Sequence, residues 1–454
     1  MSEDLREMDL DSLLHPYTNF EDHAEHGAVI MKGAHGVRLT DIHGREYIDA
    51  LAGLWCVDVG YGRQEIAEAI ADQARQMAFY HTFFAMANEP SIRLADRLKK
   101  MTPWPISKVF FGLSGSDAND TQIKLVWLYN NLRGKPKKTK IISRNMAYHG
   151  ITLGASNLTG IPTIHAKMNM PLPGFLHVGL PHFYRESDPG MSESDFVNKL
   201  VNELEETIER EGPETIGAFI AEPVMGAGGV IVPPEDYYPA MQEVLRKYDV
   251  LFIADEVICG FGRLGRPWGS QALGIEPDLV TLAKGLTSAY APLSACLITE
   301  KIWSVIEEAG DDVPQFNHGQ TYSGHPISAA AANANLDIME NESLFDRAAA
   351  TGVYLQEKLR TEFENHPHVG EVRGLGMLGA IDVVKDKETR EAFDPSRKLP
   401  LRIYRRLITK GVIARAAGVS GIAVCPPYII ERNEIDQVVG AIRETLDEIM
   451  DEEG

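Results

Sequence analysis

A lysine and an aspartate each follow an apolar run that has the composition of a buried strand. Lys284 follows residues 279–283, and Asp255 follows residues 250–254. A lysine at the end of a buried strand is costly unless it is paired or held as an imine. If the two strands are parallel neighbours, both side chains lie at the carboxyl edge of one sheet, where open α/β sheets bind ligands.

This pair of residue types is suited to pyridoxal phosphate chemistry. A lysine amine can hold that cofactor as a Schiff base, and an aspartate can pair with its pyridinium nitrogen. The alternative is an ion pair between Lys284 and Asp255 at a sheet edge that binds no cofactor. These two residues alone do not choose between the two interpretations.

A glycine-serine turn offers a possible phosphate site. A short strand at residues 108–111 leads into the turn, and a helix then runs on towards Gly134. Such a turn exposes backbone N–H groups and hydroxyls at a helix N-terminus, which favours an anion. The simpler alternative is that Ser116 is an N-cap followed by acidic residues in the first turn.

Two aromatic residues are candidates for a ligand pocket. Tyr148 follows a strand at residues 140–143 and could stack on a flat ring. Trp55 lies in a small aromatic turn and is either core filler or a pocket wall. Its position alone favours the core.

Composition excludes several classes of protein. The chain has 454 residues, 44% of them hydrophobic, and a net charge of −21, which argues against nucleic-acid and anionic-membrane surfaces. The acidic start is not a signal peptide, and no apolar run approaches the ~20 residues that span a membrane. The four cysteines are scattered, so we expect a cytoplasmic protein with free thiols. No zinc-ligand spacing occurs, and His23 and His26 are treated as surface histidines, so no metal site is predicted.

The order of elements predicts an α/β protein. Strands and helices alternate through the middle of the chain, which favours a mainly parallel sheet, and the pattern changes to α+β from about residue 345. Residues 160–195 have little periodicity and are expected to run over the surface. The predicted division is an N-terminal segment at 1–60 that joins the small domain, a large domain at 61–330 and a C-terminal small domain at 331–454.

Residues 374–379 match the GxGxxG pattern literally. A strand follows them, whereas the dinucleotide fingerprint requires a helix whose N-terminus holds the pyrophosphate. We therefore interpret them as a glycine-rich β turn and not as an NAD site.

Taken together, a set of motifs in fixed order resembles the class III aminotransferases of fold type I, in the ω-transaminase (amine:pyruvate) group. The likeness extends from about residue 15 to 450. The motifs are Gly115-Ser116, Tyr148-His149-Gly150, Glu222-Pro223, Asp255-Glu256-Val257, Gly260-Phe261-Gly262-Arg263, Leu282-Ala283-Lys284-Gly285 and Thr321-Tyr322-Ser323-Gly324-His325-Pro326.

The resemblance implies pyridoxal 5'-phosphate as cofactor and a role for each matching residue. Lys284 would bind the cofactor covalently and then move the proton as general base and acid, and Asp255 would keep the pyridine nitrogen protonated. Tyr148 and Val257 would pack on the two faces of the ring. The remaining matches are the phosphate-binding Gly115 and Ser116, the site glutamate Glu222, and Thr321, which would reach the neighbouring subunit's phosphate in an obligate homodimer.

The resemblance also implies substrate-binding residues. Trp55 becomes a pocket wall rather than core filler, and Phe20 is a second candidate wall. Arg415 matches a mobile arginine that takes the carboxylate of the keto acid and swings away for an apolar amine. The chain departs from the pattern at Gln320, where an aromatic residue is common, so the shape of the substrate pocket is not implied.

The expected activity is a ping-pong transamination from a primary amine, diamine or ω-amino acid to a keto acid, and pyruvate is the expected acceptor. Other proteins of this architecture decarboxylate dialkylglycines or move an amino group within one molecule. A rival from a different class is a non-catalytic binding protein that kept the fold. The intact Lys284, Asp255 and phosphate turn argue against that rival.

Overall fold

The computed structural model describes residues 2–417 and 421–453. Its strands are β1 Met31–His35, β2 Arg38–Asp41, β3 Glu46–Asp49, β4 Ile106–Gly112, β5 Lys140–Arg144, β6 Phe175–Val178, β7 Ile216–Ala221, β8 Leu251–Asp255, β9 Leu279–Leu282, β10 Ser294–Thr299, β11 Val369–Leu375, β12 Leu378–Val383, β13 Val412–Ile413, β14 Arg415–Ala417 and β15 Gly421–Val424. Its helices are α1 Ser2–Ser12, α2 Phe20–His26, α3 Ala52–Trp55, α4 Gln64–Met77, α5 Glu89–Met101, α6 Gly115–Leu132, α7 Leu153–Leu158, α8 Pro162–His165, α9 Phe183–Glu186, α10 Glu193–Glu211, α11 Tyr237–Lys247, α12 Gly269–Ala272, α13 Glu300–Glu308, α14 Pro326–Asn341, α15 Leu344–Phe363, α16 Leu399–Thr409 and α17 Arg432–Glu453.

A seven-stranded sheet forms the centre of the molecule, in the order β4-β10-β9-β8-β7-β5-β6. Strands β5 to β9 pair in parallel, and β10 is antiparallel to both β4 and β9. The mixed α/β architecture with a mainly parallel central sheet is therefore confirmed.

The inner strands β7, β8 and β9 are apolar except for Asp255 and Thr281, because both faces of the sheet are covered. Every residue of β7, β8 and β9 is buried. Helices α10 and α11 contribute to the core on one face, and α6 and α13 to the core on the other. Parallel strands covered on both sides lack the in-out alternation of a half-exposed sheet, which is why these strands are recognisable in the sequence.

The expectation for residues 160–195 was incomplete. Residues Phe175–Val178 form β6, which pairs in parallel with β5 at one edge of the central sheet. It is a strand of four residues with only Val178 buried, which is too short to show a periodic pattern within a stretch rich in Pro, Gly and His.

Two smaller four-stranded sheets complete the fold. One has the order β11-β12-β15-β14, and the other has the order β1-β2-β3-β13. In the second sheet, β3 near the N-terminus pairs in parallel with β13 near the C-terminus, with Ile48 opposite Val412. This pairing ties the two ends of the chain together.

The glycine-rich motif at 374–379 lies in the hairpin between β11 and β12. Gly376 has φ +59°, a left-handed backbone conformation that glycine adopts without steric cost. The interpretation of this motif as a β turn is confirmed. Among the described residues, no helix combines the length and the apolar character that crossing a bilayer requires.

Candidate active site

A cavity of about 450 Å³ opens at the carboxyl edge of β8 and β9. The two strands are parallel neighbours in which Asp255 pairs with Thr281, so Lys284 follows three residues beyond the same edge. Asp255 and Lys284 both line the cavity, as the sequence predicted. The other lining residues include Leu54, Cys56, Ser114, Gly115, Ser116, Tyr148, His149, Glu222, Val257 and Ile258.

The Asp255 carboxylate is held by three polar groups. Asn119 Nδ2 donates to Oδ2 at 2.8 Å, and His149 Nδ1 lies 2.8 Å from the same oxygen. The Val257 N–H donates to Oδ1 at 3.1 Å. The buried carboxylate therefore has the hydrogen-bond partners that a buried charge requires.

Asn119 and His149 are site residues that the sequence analysis did not single out. Asn119 lies in the second turn of α6, and its Oδ1 accepts a hydrogen bond from the Thr281 hydroxyl of β9 at 2.8 Å. His149 directly follows Tyr148 in the sequence. Its place in the Tyr-His-Gly motif was the available signal, whereas nothing in the sequence marked Asn119.

Lys284 has the geometry of a functional residue. Its φ of +45° lies in the left-handed region, which non-glycine residues rarely occupy outside functional or tightly constrained positions. Removal from water lowers the pKa of its amine below the ordinary value, and the nearby Cys56 and Asp255 oppose that shift. A lowered pKa increases the fraction of neutral amine, which is the form that can act as a base or nucleophile.

The N-terminus of α6 faces the cavity next to Asp255. Ser114 is the N-cap, since its hydroxyl accepts from the Asp117 N–H and the Asp117 carboxylate accepts from the Ser114 N–H. The alternative in which Ser116 is the cap is therefore wrong. The N–H groups of Gly115 and Ser116, in the first turn, have no acceptor within the helix and are available to an anion.

Close packing explains the glycine at the start of α6. A Cβ atom on Gly115 would lie 2.9 Å from Cγ2 of Val257, two residues after Asp255. The hydroxyl of Ser116 accepts a hydrogen bond from the Ile151 N–H at 3.1 Å. The helix N-terminus and the end of β8 therefore meet with no room for an additional methyl group.

Glu222 connects the end of β7 to the loop that carries Tyr148. Its carboxylate accepts from the Tyr148 N–H at 3.0 Å and from the Gly226 N–H at 2.9 Å. Burial raises the pKa of Glu222, while the His149 side chain opposes the shift. The Tyr148 hydroxyl lies 3.5 Å from the hydroxyl of Tyr17, a residue of the N-terminal segment.

The structure places Trp55 in the apolar core, and Trp55 is not among the residues that line the cavity. It is 3% exposed and packs in an apolar cluster with residues such as Leu51 and Ile258. Its ring also lies 4.5 Å from the Arg415 guanidinium and 5.2 Å from the Lys284 amine. Trp55 therefore contacts both the apolar core and the side chains of Lys284 and Arg415.

A buried carboxylate shapes the turn that carries Trp55. Asp49 accepts hydrogen bonds from the N–H groups of Leu51 and Gly53 at 2.9 and 2.6 Å and from the Tyr61 hydroxyl at 2.6 Å. Within this turn Gly53 and Trp55 have φ values of +66° and +57°. Nothing in the sequence marked Asp49 as a support for the site.

Four predicted site residues are not among those that line the cavity of their own chain, namely Phe20, Trp55, Thr321 and Arg415. Phe20 begins α2 and is 74% exposed, and Tyr17 rather than Phe20 contacts Tyr148. Thr321 is exposed in the turn before α14. The preceding Gln320 donates its N–H to the Ser323 hydroxyl at 3.1 Å.

Comparison with known families gives a match over most of the chain. The family described as aminotransferase class-III matches residues 20–446. The chain belongs to the class III aminotransferases. Enzymes of this family use pyridoxal 5'-phosphate to transfer an amino group from an amine to a keto acid.

Individual aminotransferases resemble this class III chain over nearly their full length. A Sinorhizobium fredii protein described as an uncharacterized aminotransferase is 49% identical, with 99% of this chain and 97% of that protein covered. The diaminobutyrate–2-oxoglutarate transaminase of Halomonas elongata is 43% identical, with coverage of 99% and 97%. The putrescine–pyruvate aminotransferase of Pseudomonas aeruginosa is 42% identical, with coverage of 96% and 94%.

The solved structures include the ω-transaminase of Pseudomonas jessenii in complex with PMP. It superimposes with a TM-score of 0.95 at 46% identity, and 98% of each chain is covered. The class III fold of the present chain, with its seven-stranded central sheet, is therefore shared with a transaminase that holds a form of the cofactor.

The residues at the cavity fit the family's cofactor. An amine at Lys284, a carboxylate at Asp255 and the free N–H groups at the start of α6 face one space of about 450 Å³. In pyridoxal 5'-phosphate, the aldehyde can react with the amine, the pyridine nitrogen can pair with the carboxylate, and the phosphate can accept from the N–H groups.

Proposed function

We propose that this class III aminotransferase moves an amino group from a primary amine, diamine or ω-amino acid to pyruvate by a ping-pong mechanism. The observation that carries the proposal is the placement of Lys284, Asp255 and the α6 N-terminus around one cavity. The name of the Pseudomonas aeruginosa relative supports a diamine donor and pyruvate as acceptor.

Lys284 is the proposed catalytic residue. The bound cofactor supplies an electron sink that weakens the bonds at the carbon bearing the amino group. The Lys284 amine holds the cofactor between turnovers and carries the proton away from and back to the reacting atoms. The burial that lowers its pKa supports this role, because a general base works best with a pKa near the operating pH.

Asp255 is proposed to keep the pyridine nitrogen protonated. Asn119 and His149 fix its Oδ2 by hydrogen bonds, so the carboxylate is oriented before the cofactor binds. Gly115 and Ser116 would bind the phosphate through the start of α6, and Tyr148 and Val257 would pack on the two ring faces. Glu222 would fix the backbone of Tyr148 beside them.

Arg415 is the proposed binding group for the carboxylate of the keto acid, and Trp55 is the wall beside it. The guanidinium is half-buried, and removal from water lowers its pKa, so a carboxylate would relieve an incompletely solvated charge. When an uncharged amine binds, the arginine would turn away from the pocket. Phe20 stays a candidate wall only at the outer rim, where it is exposed.

We further propose an obligate homodimer in which Thr321 reaches the phosphate in the neighbouring subunit. The exposure of Thr321, away from the cavity of its own chain, supports this arrangement. The proposed division remains an N-terminal segment at 1–60, a large domain at 61–330 and a small domain at 331–454. The pairing of β3 with β13 supports the association of the first and third parts.

The decisive experiment records the absorbance of the purified holoenzyme while 1-phenylethylamine and then pyruvate are added. The band of the lysine-bound cofactor should disappear with the amine and return with pyruvate, which reports both half-reactions. A Lys284→Ala variant should lack the band and lose at least ~1000-fold in turnover. A wild-type protein without the band after addition of pyridoxal 5'-phosphate would contradict the assignment of Lys284 and Asp255.

The amino acceptor has one specific alternative. The Halomonas elongata relative is named for 2-oxoglutarate, a dicarboxylate. Return of the band with 2-oxoglutarate and not with pyruvate would keep the mechanism and change the acceptor. With a substrate that carries both an amine and a carbonyl, return of the band without any keto acid would indicate intramolecular transfer. With a dialkylglycine as substrate, release of carbon dioxide would indicate a decarboxylase.

A further inference from the structure

Three potential metal ligands converge in the N-terminal segment, outside the active site. Asp9 lies in α1, His15 in the connection and His23 in α2. The Nε2 atoms of His15 and His23 lie 2.7 and 2.9 Å from the two different oxygens of the Asp9 carboxylate. The ligand atoms of all three side chains lie within 4.8 Å of one another.

This cluster is sheltered although the surrounding segment is polar. The side chains of Asp9, His15 and His23 are 11%, 25% and 14% exposed, so His23 is not the surface histidine that the sequence suggested. The rings of His15 and His23 lie 4.5 Å apart between centroids. A compact pair of imidazoles beside a carboxylate concentrates three ligand groups in one small volume.

The chemistry of this set is that of a transition-metal site. Two imidazole nitrogens and one carboxylate oxygen bind Zn²⁺ in proteins, with water in the fourth position. An aspartate carboxylate ordinarily ionises at about pH 4, so Asp9 offers a negatively charged oxygen to a cation at neutral pH. Within the described residues, Asp9 forms ion pairs with these two histidines alone.

A second group of potential metal ligands in this chain differs from the Asp9 cluster, because a cation already pairs with it. His182, Glu371 and Asp382 also place their ligand atoms together. Arg373 lies 2.9 Å from Glu371 and 3.4 Å from Asp382, so a cation already occupies the space between the carboxylates. That group is an ion-pair network, whereas the Asp9 cluster has no such competitor among the described side chains.

We propose that Asp9, His15 and His23 form a binding site for one divalent transition-metal ion of the zinc class. The ion would replace the hydrogen bonds between the imidazoles and the carboxylate by three coordinate bonds. The net charge of −21 favours the approach of a cation.

The site would fasten the segment that reaches the active-site entrance. Residues 9–23 form a closed loop when the three ligands meet, and Tyr17 lies within that loop with its hydroxyl 3.5 Å from that of Tyr148. A metal that closes a loop reduces the conformational freedom of the residues within the loop. Metal binding would therefore hold Tyr17 in place over Tyr148.

The test is a calorimetric titration of metal-stripped holoenzyme with Zn²⁺. We expect one saturable site per chain with a Kd in the micromolar range or tighter, weakened at least ten-fold in Asp9→Asn, His15→Gln and His23→Gln. His26→Gln is the matched control, because His26 also lies on α2 but contacts Asp22 and Arg405 instead. Absence of saturable binding, or equal binding by wild type and the cluster variants, overturns the proposal.

Two further measurements test metal binding at this site without relying on enzyme activity. Co²⁺ bound at this site should give visible bands from nitrogen and oxygen ligands without a thiolate charge-transfer band, and a thiolate band would overturn the assignment. Zn²⁺ should slow proteolysis of residues 9–23 in wild type and in His26→Gln but not in His23→Gln. Circular dichroism of each variant identifies any that fails to fold, and the wild-type titration alone still decides whether a site exists.

Discussion

Arg415 places a positive charge 4.5 Å from the Trp55 ring in a partly desolvated position. If it binds the keto-acid carboxylate, Arg415→Ala should raise the KM for pyruvate by about 10- to 100-fold, the loss expected for a charge-assisted hydrogen bond of about 1.5–3 kcal/mol. The KM for 1-phenylethylamine should change less than about three-fold, because that substrate has no carboxylate to bind. Steady-state kinetics on both substrates checks this, with Arg415→Lys as the conservative comparison. Equal effects on the two substrates would contradict the assignment.

Glu256 should make the protein less stable as the pH rises, whereas an ion-paired acid makes a protein more stable as the pH rises. Burial raises its pKa from 4.5 to about 7, while hydrogen bonds from Ser270 and Gly269 oppose the shift. The folded state therefore binds this proton more tightly than the unfolded state. The contribution of this proton to the free energy of unfolding is fully present below about pH 4.5 and is lost as the pH rises through about 7.

The corresponding variant is Glu256→Gln, which carries no titrating proton. Between pH 5 and pH 8 the wild type should lose up to about 3 kcal/mol of stability that the variant does not lose. Thermal melting of both proteins at several pH values measures the difference. Parallel pH profiles for the two proteins would show that Glu256 does not titrate in this range.

At the scale of elements, the turn at residues 51–56 depends on the carboxylate of Asp49. An amide at this position can accept from the Leu51 N–H but presents its own N–H₂ group to Gly53 or Tyr61. Asp49→Asn should therefore lose one or two hydrogen bonds, about 1–3 kcal/mol, and let Trp55 leave its left-handed conformation. We expect kcat/KM to fall about ten-fold or more while the cofactor remains bound.

Tyr61→Phe provides a graded comparison for this prediction. It removes one hydrogen bond to Asp49 and leaves those from Leu51 and Gly53, so its effect should be smaller. The intensity of the cofactor absorbance band separates a displaced Trp55 from general loss of structure. Loss of that band in step with activity would show that Asp49 acts on the whole fold instead.

The strands and the helix that position the site could be predicted because their apolar composition and turn residues mark them in the sequence. The strand ending at Asp255 is an apolar run, the strand before Lys284 is apolar except for Thr281, and α6 is marked by its glycine-serine start. β6 could not be predicted, since a short, mostly half-buried edge strand has no distinctive pattern.

The residues around the site were harder to predict than the strands that position them. Asn119 reaches Asp255 only because α6 packs on β8 and β9, and Asp49 reaches Gly53 only through a local turn with left-handed residues. The cluster of Asp9, His15 and His23 was missed because ligand spacing in sequence does not show how two short helices fold back.

At the scale of the whole molecule, each active site should need two chains. A Thr321→Ala chain keeps Lys284, and a Lys284→Ala chain keeps Thr321. When the two inactive variants are mixed and exchange subunits, the heterodimer regains one complete site from its two partners. At limiting pyridoxal 5'-phosphate the mixture should reach about a quarter of wild-type activity, the statistical share of complete sites in a two-fold dimer.

Differently tagged chains verify that the subunits have exchanged. Activity of the exchanged mixture no greater than the average of the two parent variants would contradict a contribution of Thr321 to the neighbouring site. A monomer by light scattering at working concentration would contradict the dimer itself.

The pairing of Ile48 in β3 with Val412 in β13 has a consequence for the order of events during synthesis. When strand β3 leaves the ribosome, the more than 300 residues that separate it from β13 have still to be translated. At 5–20 residues per second, roughly 20 to 70 s separate the two strands. During that interval the nascent chain can complete the seven-stranded sheet, whose strands all lie between them, while the free edge of β3 awaits a partner. Chaperone dependence in the cell should therefore arise from this early, unpaired edge rather than from the central sheet.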